Sequence, residues 1–180
     1  MISNKKLIVF LYRKKSERFL NESYKANRIT EYDEIENPFS QLPDIKKCLN
    51  LLKIVWLEID HCEADDVIST LVKKADNQFD EVLIISTDKD FFQLISDKTY
   101  VMIPRGKLSI TYNKENFYQK YGIVPGQYVE YLALVGDKSD NISGIDGIGK
   151  ITASKLLNKY QCIDNIFANL DSESNSLQKN

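Results

Sequence analysis

GDKSDNISGIDGIGKITASKLL, residues 136–157, sets two carboxylates, Asp137 and Asp140, just before a glycine-rich turn, and a helix opening on Lys150 follows. Carboxylates repel phosphate, whereas glycine turns and the free N–H groups of a helix start attract it. The stretch joins two opposed chemistries, a cation-binding end and an anion-binding end. Gly144, Gly147 and Gly149 with Lys150 read as a tight hairpin between two helices. Gly147 and Gly149 let the backbone approach a partner closely, and Lys150 and Lys155 add positive charge. A lone GxG is weak, and an ordinary turn explains it. The longer pattern GxxGIGxxTAxxLL is much more specific and reads as a helix-hairpin-helix that grips a nucleic-acid backbone without reading bases.

Upstream, strands and helices alternate. Leu7–Leu11, Ile54–Leu57, Val82–Ile85 and Tyr100–Ile103 are short apolar runs that read as strands. Ala64, Val67, Ile68, Leu71, Val72 and Ala75 keep helical period, so a helix is expected over 63–75, and another over 44–53. Lys107–Thr111 is placed to pair with Tyr100–Ile103 across the Pro104-Arg105-Gly106 turn. Continuous apolar strands joined by helices predict an α/β fold with a parallel sheet covered on both faces. Helices follow at 114–121, 125–134, 150–160 and 163–170. The residue run 171–180 is a polar tail. The highly charged run 12–37 reads, by itself, as a solvated face or loop.

The bulk numbers exclude several classes. The chain has 180 residues, 43% hydrophobic, and a formal net charge of −2, so no global charge argues for nucleic acid; any such case is local. No apolar run reaches a membrane span and no signal-peptide pattern opens the chain, so a cytoplasmic protein is expected. Cys48, Cys62 and Cys162 are an odd count at scattered spacing and read as reduced thiols. The single histidine, His61, makes histidine chemistry a poor candidate, and no Walker-type loop occurs.

Acids cluster at three places: Glu63, Asp65 and Asp66 at a helix mouth after a strand; Asp88 and Asp90 after the Val82–Ile85 strand; and Asp137 with Asp140. Taken singly, each is explained as a helix cap. Taken together, they fit the carboxyl ends of parallel strands, where ligands bind. So many carboxylates converging would repel one another unless cations lay between them. Oxygen donors of this kind select Mg²⁺ or Mn²⁺, and a pair of such ions about 4 Å apart is a standard device for phosphodiester hydrolysis.

With these motifs in place, residues 7 to about 170 resemble the 5′ nuclease family of bacterial DNA polymerase I and the phage and cellular flap endonucleases. The residues that carry the resemblance are YGIVPGQYVEYLALVGDKSDNISGIDGIGKITASKLL (121–157), EADD (63–66), STDKDFFQLISD (86–97) and YKANR (24–28). The resemblance implies a PIN-like core over 1–112 that includes an arch at 12–37, then a helical region with the helix-hairpin-helix at 113–170. It implies Mg²⁺-dependent cleavage of flapped or 5′-ended DNA. Glu63, Asp65, Asp66, Asp88, Asp90, Asp137 and Asp140 match the acidic positions, with Asp66 and Asp140 candidates for a place behind the direct ligands. Asp65 and Asp88 are the acids carried over as catalytic. Lys25 and Arg28 match arch residues that contact the scissile phosphate. Gly147, Gly149, Lys150, Thr152 and Lys155 match the duplex-binding hairpin, and the Gly144–Lys150 turn matches a K⁺ site built from backbone carbonyls.

Two departures qualify it. The family begins with an aspartate-bearing strand before the position of residue 7, and the run Val9-Phe10-Leu11 carries Leu11 (or Tyr12, if the gap falls elsewhere) where the pattern has a second aspartate. Both belong to one half of the metal cluster. Losing a ligand weakens a two-ion mechanism, so the expectation is a 5′ nuclease, active or attenuated. The alternatives are a defective branched-DNA-binding module, or one subunit of a nuclease completed by a separate chain along an exposed sheet edge. A phosphatase using Asp88 and Asp90 leaves the hairpin unexplained.

Overall fold

The computed structural model describes residues 8–10, 38–59, 62–75 and 78–169. The arch segment 12–37 with Lys25 and Arg28, and also Leu11, His61 and the polar tail, lie outside the described residues. The contacts divide the chain into two compact units, with the boundary between Thr70 and Leu71.

In the first unit, β1 (Ile8–Phe10) runs parallel to β2 (Val55–Leu57), with Ile8 opposite Val55 and Phe10 opposite Leu57. A 3₁₀ turn, Pro38–Gln41, leads into α1 (Leu42–Leu51), which carries a proline and Asp44 in its first turn, both suited to a helix start. Trp56 of β2 donates from Nε1 to Asn50 Oδ1 at 2.9 Å, and the Lys46 ammonium lies 5.1 Å above the Trp56 ring. These contacts pin the amphipathic α1 to the strand that follows it. The helix expected over 63–75 is α2 (Ala64–Ala75), with Asp65 and Asp66 in its first turn and Lys73 and Lys74 in its last, the polarity its dipole favours.

The second unit is built on a three-stranded sheet ordered β3 (Val82–Ile85), β4 (Thr99–Ile103) and β5 (Ile110–Tyr112). β3 and β4 are parallel, with Ile85 opposite Met102. β5 returns antiparallel after the Pro104-Arg105-Gly106 turn, where Gly106 takes the left-handed conformation at φ 57°. Along β3 the burial alternates, as a strand's period of two requires: Ile84 is buried, while Leu83 and Ile85 are 51% and 53% exposed. Between β3 and β4 the expected short helix is a 3₁₀ segment, Lys89–Leu94. The Asp88 side chain caps it by accepting from the Asp90 N–H, and its three-residue turns are narrower than those of an α-helix.

That segment delivers Phe92, 1% exposed, into an aromatic core. Its ring lies 4.7 Å from Tyr112, 5.6 Å from Phe117 and 5.5 Å from Tyr128, mostly tilted or edge-on, the arrangement ring quadrupoles favour. Each such ring removes on the order of 150–250 Å² from water, which at about 25 cal/mol per Å² makes this cluster the main apolar contribution to the unit.

Helices follow in the order the periodicity predicts. α3 (Lys114–Tyr121) starts with a reciprocal Asn113–Asn116 capping box and ends at Gly122, φ 67°. The helix expected over 125–134 divides into a 3₁₀ turn, Pro125–Gln127, and α4 (Tyr128–Val135). β6 (Gly136–Asp137) and β7 (Ile142–Ser143) form a small hairpin, and α5 (Lys150–Tyr160) and α6 (Ile163–Ala168) complete the unit. Buried Gln127 joins these pieces: its Nε2 donates to Leu157 O and Gln161 O, each at 2.9 Å, and its Oε1 accepts from Val124 N–H.

Candidate metal and phosphate site

Asp88 and Asp90 leave the end of β3. The Asp88 N–H donates to Ser86 Oγ at 3.1 Å, and Asp88 Oδ1 accepts from the Asp90 N–H at 3.0 Å. One oxygen of Asp88 is therefore the plain helix cap its position suggests. The carboxylate still has a second oxygen to offer a ligand. Asp137 sits at the turn of the β6–β7 hairpin, where its Oδ1 accepts from Ser139 N–H at 2.8 Å and from Ser139 Oγ at 2.6 Å. The Ser139 hydroxyl, chiefly, holds the Asp137 carboxyl below its ordinary range; partial burial opposes this, and Lys89 assists. Asp140, three residues on, is 7% exposed.

Tyr128 opens α4. It is 3% exposed, and its hydroxyl donates to that of Tyr121. Burial pushes its phenol far above the ordinary range, followed by Tyr121, and the carboxylates of Asp90 and Asp137 add to the rise. Glu63, Asp65 and Asp66 belong to the first unit, with Asp65 Oδ1 accepting from the Asp66 N–H at 3.0 Å. As the side chains are placed, no three acidic, histidine or cysteine side chains among the described residues are grouped closely enough to hold an ion. The all-oxygen chemistry of Asp88, Asp90 and Asp137 nonetheless fits a hard divalent cation.

The phosphate-attracting half is fastened to the acidic half by a backbone crossing. Gly136 has φ 82°, and a Cβ there would stand 2.5 Å from Gly144 N; a Cβ on Gly144 would stand 2.3 Å from the Val135 carbonyl carbon. The Ile145 N–H donates to Leu134 O at 2.9 Å across the same crossing. The loop 144–149 is thereby held against the end of α4, and it lines a concavity of about 430 Å³. Gly147 takes φ 79°, a left-handed position that favours glycine. Gly149 is the N-cap of α5 in extended conformation, with open space where a Cβ would lie. Lys150 and Lys155 are exposed on α5, and Thr152 is half-buried between them.

Residues 3–122 match the family model for the 5′-3′ exonuclease N-terminal resolvase-like domain, and residues 123–180 match that for its C-terminal SAM fold. The chain belongs to the 5′-3′ exonuclease family. Among its relatives, the thermostable DNA polymerase I of Thermus filiformis is 40% identical over 91% of this chain and 19% of its own length. The 5′-3′ exonuclease of Mycoplasma genitalium is 41% identical over 88% of this chain and 54% of its own. The chain thus spans about a fifth of the polymerase and about half of the Mycoplasma protein. Among solved structures, the T5 D15 protein co-crystallised with metal ions superposes with a TM-score of 0.75 at 26% identity, covering 91% of this chain and 65% of that one. The PIN-like α/β core and the helical region expected from the sequence are the fold of this exonuclease family.

Sequence reasoning missed three elements of the site. The Gly136–Gly144 crossing was invisible because a glycine needed for close backbone approach looks like one needed for a turn. Tyr128 was read as a helix position, with nothing local to mark it as part of the aromatic core. Lys120 and Lys159 lie in the last turns of α3 and α5 without belonging to a motif.

Proposed function

We propose that this chain is a divalent-metal-dependent 5′ nuclease that hydrolyses phosphodiesters of 5′-ended or flapped DNA. The observation that carries the proposal is the match of residues 3–122 and 123–180 to the two 5′-3′ exonuclease family models, with Asp137 on the hairpin whose backbone crossing locks the glycine loop. Asp88, Asp90 and Asp137 would hold Mg²⁺ or Mn²⁺, with Asp140 behind them. Glu63, Asp65 and Asp66 are assigned the same role on the strength of the family match. The ion would supply an activated water and charge neutralisation at the scissile phosphate.

The chain's own residues do the rest. Ser139 keeps Asp137 ionised and oriented. Gly147, Gly149 and Lys150 offer N–H groups and charge to the duplex backbone at the start of α5, with Thr152 and Lys155 two and five residues on. Lys25 and Arg28 are assigned to the scissile phosphate. The carbonyls of the Gly144–Lys150 turn are the proposed K⁺ ligands. Leu11 in place of a carboxylate favours an attenuated enzyme, and it motivates the second reading: a branched-DNA-binding module, or a nuclease completed by a separate chain that supplies the acid.

The test is a labelled 5′-flap duplex incubated with the protein and Mg²⁺ or Mn²⁺. Cleavage that disappears with chelator and with Asp137→Asn supports the nuclease. Intact binding with no cleavage at high protein concentration rejects it in favour of the binding module.

A further inference from the structure

Lys89 stands where helix electrostatics disfavours a cation. It opens the 3₁₀ segment Lys89–Leu94, directly after the Asp88 N-cap and directly before Asp90. The start of a helix carries the positive end of its dipole, so an ammonium there gains nothing from the backbone. The Lys89 side chain is exposed, so burial of its stem does not account for it either.

What the position supplies is nearness to carboxylates. Consecutive Cα atoms lie about 3.8 Å apart, which tethers the Lys89 ammonium within a side chain's length of both Asp88 and Asp90. The 3₁₀ segment packs on α4. Lys89 also lines one concavity with Gly136, the residue before Asp137 on β6. Lys89 thus borders the acids of its own turn and, across that concavity, the strand that carries Asp137. Carboxylates gathered at one site raise one another's energy unless a positive charge offsets them. A divalent cation does this when bound. In its absence the tethered ammonium is the positive charge at hand.

We propose that Lys89 is a built-in counter-cation of the acidic site. It offsets the charge of Asp88, Asp90 and Asp137 in the ion-free protein and competes with divalent cations for them, so it sets how tightly a cation is held. The inference rests on the metal-binding reading above and adds a residue that reading does not use. A unit positive charge about 6 Å from a divalent cation in water weakens its binding by about tenfold.

The test is isothermal titration calorimetry of Mn²⁺ into the full chain without DNA. Lys89→Gln is expected to bind Mn²⁺ about three- to tenfold more tightly than the wild type, and Lys89→Arg to match the wild type. Lys89→Met, also neutral, repeats the measurement should glutamine disturb the fold. A charge effect grows with the charge of the bound ion, so the neutral variants are expected to tighten Tb³⁺ binding by a larger factor than Mn²⁺ binding. A lysine that only shapes the turn would shift the two ions equally, and equal shifts overturn the proposal. Mn²⁺ binding that is unchanged or weaker in the neutral variants, with the wild type binding, also overturns it and leaves the nuclease reading standing. A wild type that binds no Mn²⁺ overturns both.

Discussion

Gly144→Ala isolates the crossing that joins the acidic hairpin to the phosphate loop. A Cβ at residue 144 would meet Val135 C at 2.3 Å, Gly136 N at 2.5 Å and Val135 O at 2.6 Å. All three are backbone atoms, so no rotamer change relieves the overlap, and the two segments must part by about 1 Å to reach ordinary contact. Overpacking of this kind costs about 1–3 kcal/mol, and losing the Ile145 N–H to Leu134 O bond adds about 1 kcal/mol. The expected loss is about 2–4 kcal/mol. For a chain of this size that is a fall of roughly 5–15 °C in Tm, read by circular dichroism. Gly149→Ala is the control: its φ is −84° and nothing lies within 4 Å of its would-be Cβ, so its Tm falls by less than about 3 °C while duplex affinity drops. If Gly144→Ala melts with the wild type, the two segments are not packed as argued, and the rigid link between the cation and phosphate ends is lost with them.

Other outcomes follow from the same contacts. Phe92→Ala, which empties the centre of the aromatic cluster, lowers stability by about 3–5 kcal/mol in chemical denaturation. Gln127→Leu leaves the Leu157 and Gln161 carbonyls without their shared donor and costs about 1–3 kcal/mol by the same assay. The raised phenols of Tyr121, Tyr128 and Tyr131 set an alkaline limit. Because their folded values exceed the ordinary 10.0, the native state binds more protons above that pH, so stability is full below pH 10.0 and falls as pH rises beyond it. Tyr128→Phe moves that limit upward in an alkaline unfolding curve followed by circular dichroism; an unchanged curve contradicts the burial argument.

Element order was legible in the sequence wherever one force dominated. Helical period located α1 and α2, where apolar side chains recur three or four residues apart, and the apolar runs located β3 and β4. The Pro125 helix divided where Gln127 turns inward to serve three partners, a tertiary demand that local pattern does not carry. The β6–β7 hairpin was hidden because its strands are two residues each, too short to show a period. Asp88 and Asp137 were legible as acids at element ends. Their capping and Ser139 bonds were only partly so, because a serine two residues on is common in turns and becomes a pKa device only in the folded hairpin.

The central claim is that Asp88, Asp90 and Asp137 bind a divalent cation that the nuclease chemistry needs. Anomalous diffraction from crystals soaked in Mn²⁺ tests it most directly. The account predicts a manganese peak bonded to oxygens of Asp137 and of Asp88 or Asp90. Saturating Mn²⁺ with no peak at any of these carboxylates, in protein that still binds flap DNA, would contradict it.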